Sequence, residues 1–346
     1  MTSRRNHGDV LCLLDPDQFP VERDSLAMAA TTLTNNRVDD RLLHASEPER
    51  HRARDLLVSD RLAHRTLAPN RVSLHLRENC DEHDRHFGVV RVHGNAGTIF
   101  LASLMISYLD MLDNVERAGT SLNRGQWSDL LRVPTLVFDF ALRRSPSMID
   151  GPGQVPPGRG EYLPYERWNI GHRLFFTLIQ ATTQALTSLL RAARVGDEAG
   201  MEECMTLARF TVLGSAAAMP LAADFEPAEY ENCVRRTMLP PYVGPGFSGL
   251  QTRDHHHLIH TFFQLRSIAP AMGKISESYA EFTAAVHKLY DAHAYVCAQF
   301  GGDKVPSLRM AAARGQIRRS GVEVVKSFAA RRVSLLEPTR PVNREV

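Results

Sequence analysis

The stretch DAHAYVCAQF, residues 291 to 300, sets His293 four residues ahead of Cys297 inside a run that otherwise patterns as helix. At that spacing two side chains stand one above the other on a single helical face, with Cβ atoms about 5–6 Å apart. Plain packing of a cysteine beneath a surface histidine satisfies the spacing, and so do two kinds of chemistry. Imidazole and thiolate can both ligate zinc, given one or two further ligands such as those in RDHHHLIH (His255, His256, His257, His260). Alternatively, the imidazole can ligate a haem iron while the thiol, one turn away at the porphyrin edge, adds across a vinyl group to form a single thioether. The usual covalent haem signature, C-x-x-C-H, is absent, so this is a reversed and singly linked arrangement.

Histidine recurs in other places where it could act. The chain holds fifteen, including His287 and the helix-borne His172 in NIGHRLFFTLIQ. Clustered imidazoles bind metal, move protons, or sit in water. Other chemistries lack their residues. GPGFSG (244 to 249) satisfies the letters G-x-G-x-x-G but follows MLPPYV, with no βαβ unit around it. A nucleophile elbow at Ser248 needs glycine at 250, where Leu250 stands. There is no P-loop, no H-E-x-x-H and no EF-hand loop.

The elements that must position these residues are helices. Apolar residues recur at three and four in GHRLFFTLIQATTQALTSLLRAAR (171 to 194) and in DEAGMEECMTLARFTVLGSAAAM (197 to 219). Alternating β-branched runs are nearly absent, FGVVRVHG (87 to 94) being the best strand candidate. The class is mainly α. Pro- and Gly-rich loops interrupt it at 145 to 166 and 238 to 251. Composition suggests three parts. Residues 1–85 are polar and rich in Arg, Asp, Glu and His, and read as an extension; residues 86–308 carry the helical domain; residues 309–346 form a basic tail, with seven Lys or Arg against Glu323 between Arg309 and Leu335. Both appendages are of the kind that embrace a partner subunit, so a homo-oligomer is expected.

Bulk composition removes whole classes of function. With 41 basic and 39 acidic residues the net charge is +2, which demands neither nucleic acid nor an anionic membrane. Five widely spaced cysteines without a CxxC argue against a disulfide framework and a zinc ribbon, and favour a reducing cytoplasm. MTSRRNHGDV lacks the apolar core of a signal peptide. The longest apolar run, Thr98 to Leu112, contains Asp110 and falls short of the ~20 residues of a membrane span, so it reads as a buried helix.

The block YENCVRRTMLPPYVGPGFSGLQTRDHHHL (230 to 258), followed some forty residues later by HAYVC, resembles the histidine-ligated haem-dependent aromatic oxygenases. That superfamily includes tryptophan 2,3-dioxygenase and the bacterial tyrosine hydroxylases. The likeness extends over roughly residues 86 to 300 and is nearest to the haem-dependent 3-methyl-L-tyrosine hydroxylases of saframycin-type tetrahydroisoquinoline antibiotic biosynthesis. It implies a helical haem-binding bundle, with His293 as the proximal iron ligand and Cys297 as the thioether. It also implies that Arg235, or the adjacent Arg236, receives the substrate carboxylate, and that Phe247, Ser248 and Gly249 lie against the haem propionates or the substrate. An arginine fork suits a carboxylate. The resemblance gives a distal histidine as well, for which His172 and His255 both qualify.

The implied reaction uses hydrogen peroxide to place a hydroxyl ortho to the phenol of 3-methyl-L-tyrosine, giving 3-hydroxy-5-methyl-L-tyrosine. Cleaving the O–O bond calls for a proton to move from one oxygen to the other, which a histidine titrating near neutral pH performs. L-Tyrosine is the alternative substrate, since one methyl group is worth only about 1–3 kcal/mol in an apolar pocket. Two further alternatives are an indole-ring (tryptophan) dioxygenase of the same fold, and a metal- or haem-binding protein without turnover.

Overall fold

The computed structural model describes residues 10–59, 66–67, 74–146, 155, 162–247, 252–304 and 319–336. The first half holds β1 (Leu11–Leu14), α1 (Arg23–Asn35), α2 (Glu47–Val58), β2 (Thr66–Leu67), α3 (Leu74–His86), β3 (Val89–His93), α4 (Ala96–Ala118) and α5 (Arg124–Leu142). The second half is helical: α6 (Pro164–Val195), α7 (Glu198–Ala222), α8 (Arg253–Leu265), α9 (Ser276–Gln299) and α10 (Gly321–Leu336). The mainly α class holds. The short strand expected at 87–94 is β3, the centre of a three-stranded sheet ordered β1-β3-β2. Leu11 pairs with Val89 in parallel, and Leu67 pairs with Val92 in the antiparallel sense.

Local sequence sets the helix ends. Asn95 accepts from the amide of Thr98 at the start of α4, and Asn123 and Gln126 form a capping box on α5. Pro164 opens α6, where its missing amide costs nothing, and Gly196, at φ 72°, closes it in the left-handed region. Asp197 then caps α7, so α6 and α7 run back against one another. They come very close at Gly171, where a Cβ would lie 2.4 Å from that of Ala222. Only glycine fits there.

The run at 98–112 is part of α4, a 23-residue helix, and almost all of it is buried. By length and composition α4 and α7 are each apolar enough to cross a membrane, but most of each lies inside the fold, which explains their hydropathy without a bilayer.

The division at residue 85 does not follow the packing. Leu11, Leu13 and Leu14 of β1, and Leu26, Ala30 and Leu33 of α1, are buried in the same core as α4 to α7. Their charged neighbours face outward or pair with the body of the fold, as Arg50 does with Asp113 at 2.6 Å. Polar composition therefore concealed a narrow apolar face. The tail is divided too: α10 docks on the body, burying Val325, Val333 and Leu336, and Tyr279 donates to the carbonyl of Leu336. The described parts of both appendages thus pack on their own chain.

Candidate active site

Helices α6, α7, α8, α9 and α10 enclose a cavity with about 1050 Å³ of empty space, its mouth included. Its wall is mostly apolar, with Trp168, Phe175, Ile179, Leu258, Phe262 and Val286 among the lining residues. The exceptions are where chemistry can occur. His172 reaches the cavity from α6, His255 from α8, His293 and Tyr290 from α9, and Arg332 from α10. Three of the histidines singled out in the sequence, from three helices and up to 121 positions apart, thus share one chamber.

Burial keeps these imidazoles neutral. Desolvation brings His172 down to about 3 and His293 to about 4, and lowers His255 well below its ordinary value. The Arg332 charge adds to the effect at His293 and His255, and His293 itself acts on His172 and His255. The expectation of a histidine titrating near neutrality does not hold in this chamber, because removing water from an imidazolium costs more than its surroundings return. A neutral imidazole, however, offers a lone pair, which is what a metal ligand requires. His255 Nε2 is buried with no hydrogen-bond partner, a position that is costly unless a ligand completes it.

Each histidine has its own support. His172 Nδ1 lies 2.8 Å from the carbonyl of Trp168, so the proton sits on Nδ1 and Nε2 keeps the lone pair. Its ring packs between Trp168, at 4.1 Å, and Phe87, stacked at 4.7 Å. His255 is fixed through its neighbour Asp254, which accepts from Arg91, Gln180 and Thr252. Beyond His293, Cys297 is half-buried, and burial pushes its thiol up to about 11. It stands next to Tyr230, whose ring stacks on Phe300 at 4.1 Å, but it is not part of the cavity wall.

Other expected residues fall elsewhere. Arg235 pairs with Glu231 at 3.2 Å and Arg236 is exposed, and neither lines the cavity. Phe247 is buried one layer behind His172, stacked on His83 at 5.7 Å and tilted against His86 at 4.7 Å. Ser248 and Gly249 lie outside the described residues. Of the triplet, His255 alone lines the cavity. Sequence reasoning missed Arg332, Tyr290 and the His83/His86 pair behind His172. The i, i+3 spacing in HDRH was the available signal for that pair, in a segment read as a solvated extension.

A mostly apolar chamber with neutral imidazoles and a single guanidinium suits a flat apolar cofactor or an aromatic acid, the kind of site a helical cofactor-binding protein carries. Residues 12–286 match the family model described as SfmD 3-methyl-L-tyrosine peroxygenase. The chain is 30% identical over 272 residues to a 3-methyl-L-tyrosine peroxygenase of Streptomyces lavendulae, covering 76% of this chain and 72% of that one. A solved structure, the crystal structure of reduced SfmD soaked with sodium hydrosulfite, matches with a TM-score of 0.64 at 25% identity, over 82% of this chain and 95% of the other. The chain belongs to the SfmD 3-methyl-L-tyrosine peroxygenase family, and it is an enzyme whose oxidant is peroxide. The family match stops at residue 286, so His293, Cys297 and Arg332 lie beyond it.

Proposed function

We propose that the protein is a haem-dependent peroxygenase that hydroxylates 3-methyl-L-tyrosine ortho to its phenol, giving 3-hydroxy-5-methyl-L-tyrosine. The observation that carries this reading is that His172, His255 and His293 line one mostly apolar chamber, with His255 Nε2 buried and unpartnered. Haem, when bound, supplies the activation of peroxide and the transfer of one oxygen to the ring. The donors present fit it: neutral imidazoles to hold iron, apolar walls for the macrocycle, and a cation for an acidic group.

Within that reading His293 holds the iron from α9, and His255 presents a second ligand-competent nitrogen from α8. Cys297, one turn on from His293 and just outside the cavity wall, would hold the cofactor by a single thioether to a vinyl group. His172 is the candidate distal residue: its Nδ1 donates to the Trp168 carbonyl, which leaves the neutral Nε2 as the atom that would accept a hydrogen bond from peroxide. The apolar walls exclude bulk water and hold the phenol ring beside the reacting oxygen. All five cysteines are free, which fits a reducing cytoplasm.

The test is turnover of purified protein with hydrogen peroxide and either 3-methyl-L-tyrosine or L-tyrosine, followed by mass spectrometry. The reading expects a gain of one oxygen and a preference for the methylated substrate of about tenfold or more, the scale of one methyl group in an apolar pocket. Equal rates move the assignment to tyrosine hydroxylation; O₂-dependent incorporation of two oxygens into an indole overturns it.

A further inference from the structure

We propose that Arg332, carried by the C-terminal helix α10, is the carboxylate anchor of the cavity, receiving the carboxylate of the amino-acid substrate or a propionate of haem. The inference rests on the haem-peroxygenase reading of the same chamber. Among the cavity's lining residues Arg332 is the one guanidinium, and none of them is lysine, aspartate or glutamate.

Arg332 is half-buried, and among the described residues no carboxylate forms an ion pair with it, whereas the buried guanidiniums of the fold each have one: Arg50 with Asp113, Arg91 with Asp84 and Asp254, Arg167 with Asp224, and Arg253 with Asp15. Its orientation is already set. One guanidinium nitrogen donates to the hydroxyl of Tyr290 at 3.0 Å, and the group lies 5.0 Å from the ring centre of Phe328. Among the described residues no other acceptor is hydrogen-bonded to it, so N–H donors remain for a planar acceptor, and a fork held in place loses less freedom on binding than a free side chain. A cation beside two neutral imidazoles is electrostatically incomplete. An anion entering the cavity completes it. The arginines favoured by the sequence do not meet this need, since Arg235 is paired with Glu231 and Arg236 is exposed.

The two carboxylate sources separate experimentally. Wild type, Arg332→Gln and Arg332→Lys are purified as full chains, their haem-to-protein ratio is read from absorbance, and each is titrated calorimetrically with 3-methyl-L-tyrosine and with the amine that lacks its carboxylate. If the anchor serves the substrate, Arg332→Gln weakens amino-acid binding by about tenfold to a hundredfold and leaves amine binding and haem content unchanged. If it serves the cofactor, haem content falls and the preference for the amino acid over the amine persists. Arg332→Lys keeps the charge without the fork and falls between, which decides the matter even where the glutamine variant does not fold. Unchanged haem content together with an unchanged preference in both variants overturns the proposal. A wild type that binds neither haem nor amino acid overturns the function reading itself, and a wild type that binds the amino acid without haem still reports on Arg332 through the calorimetry alone.

Discussion

Arg91 Nη2 lies 2.7 Å from Asp254 Oδ2, with only 5% and 1% of the two side chains exposed, one residue before the cavity histidine His255. The pair joins the sheet to the site. Arg91 sits on β3 and also holds Asp84 of α3 at 2.8 Å; Asp254 opens α8 and accepts from Gln180 of α6 at 2.7 Å. Burying these charges is tolerable because every carboxylate oxygen of Asp254 is met by a donor. The first turn of α8, and His255 with it, is thereby fixed against three other elements.

Replacing Arg91 with Met strands two buried carboxylates and should cost about 3–5 kcal/mol of stability. The exposed pair of Arg143 and Asp24, 61% and 85% open to solvent, is the control: Arg143→Met should cost under about 1 kcal/mol. Urea unfolding of the two variants checks both values.

The buried histidines predict acid sensitivity. His172, His86 and His293 have folded values of about 3, 4 and 4, all below the ordinary 6.5. The unfolded chain therefore binds more protons than the folded one between pH 6.5 and about 4. Their stabilising contribution is complete above pH 6.5 and is lost as pH falls through that window, at up to ~1.4 kcal/mol per pH unit for each group. Unfolding of the cofactor-free protein across pH 7.5 to 4.5 should show the decline. His86→Phe, which removes one titrating ring outside the cavity wall, should flatten the slope by about one proton.

The three cavity histidines were legible because their signals are local. A spacing of four drew attention to His293, three-and-four periodicity gave the helices, and His172 and His255 each stood on a recognisable amphipathic run; Cys297, picked out by the same spacing, lies outside the cavity wall. The failures were tertiary. Arg332 looked like one of seven basic residues in a solvated tail, since nothing in the sequence shows α10 turning back onto α9 beside Tyr290. The apolar faces of β1 and α1 were hidden by the charges around them. Arg235 and Arg236 carried the right chemistry, but their backbone turns one of them toward Glu231 and the other toward solvent.

At the end of α9 the chain leaves no room behind Cys297. The amide of Gly302 donates to the carbonyl of Cys297 at 2.7 Å, and a Cβ at Gly302 would lie 2.6 Å from that oxygen. Gly302→Ala should therefore push the last turn of α9 out of place and lower the fraction of covalently attached haem several-fold. The measure is intact mass after denaturation, with little change expected in total helix content by circular dichroism.

The most direct test of the account is absorbance and denaturing mass spectrometry of the purified protein beside Cys297→Ala. The account predicts a Soret band in both, with haem mass that stays on the denatured wild type and is lost from the variant. A colourless protein that takes up no added haem would contradict it.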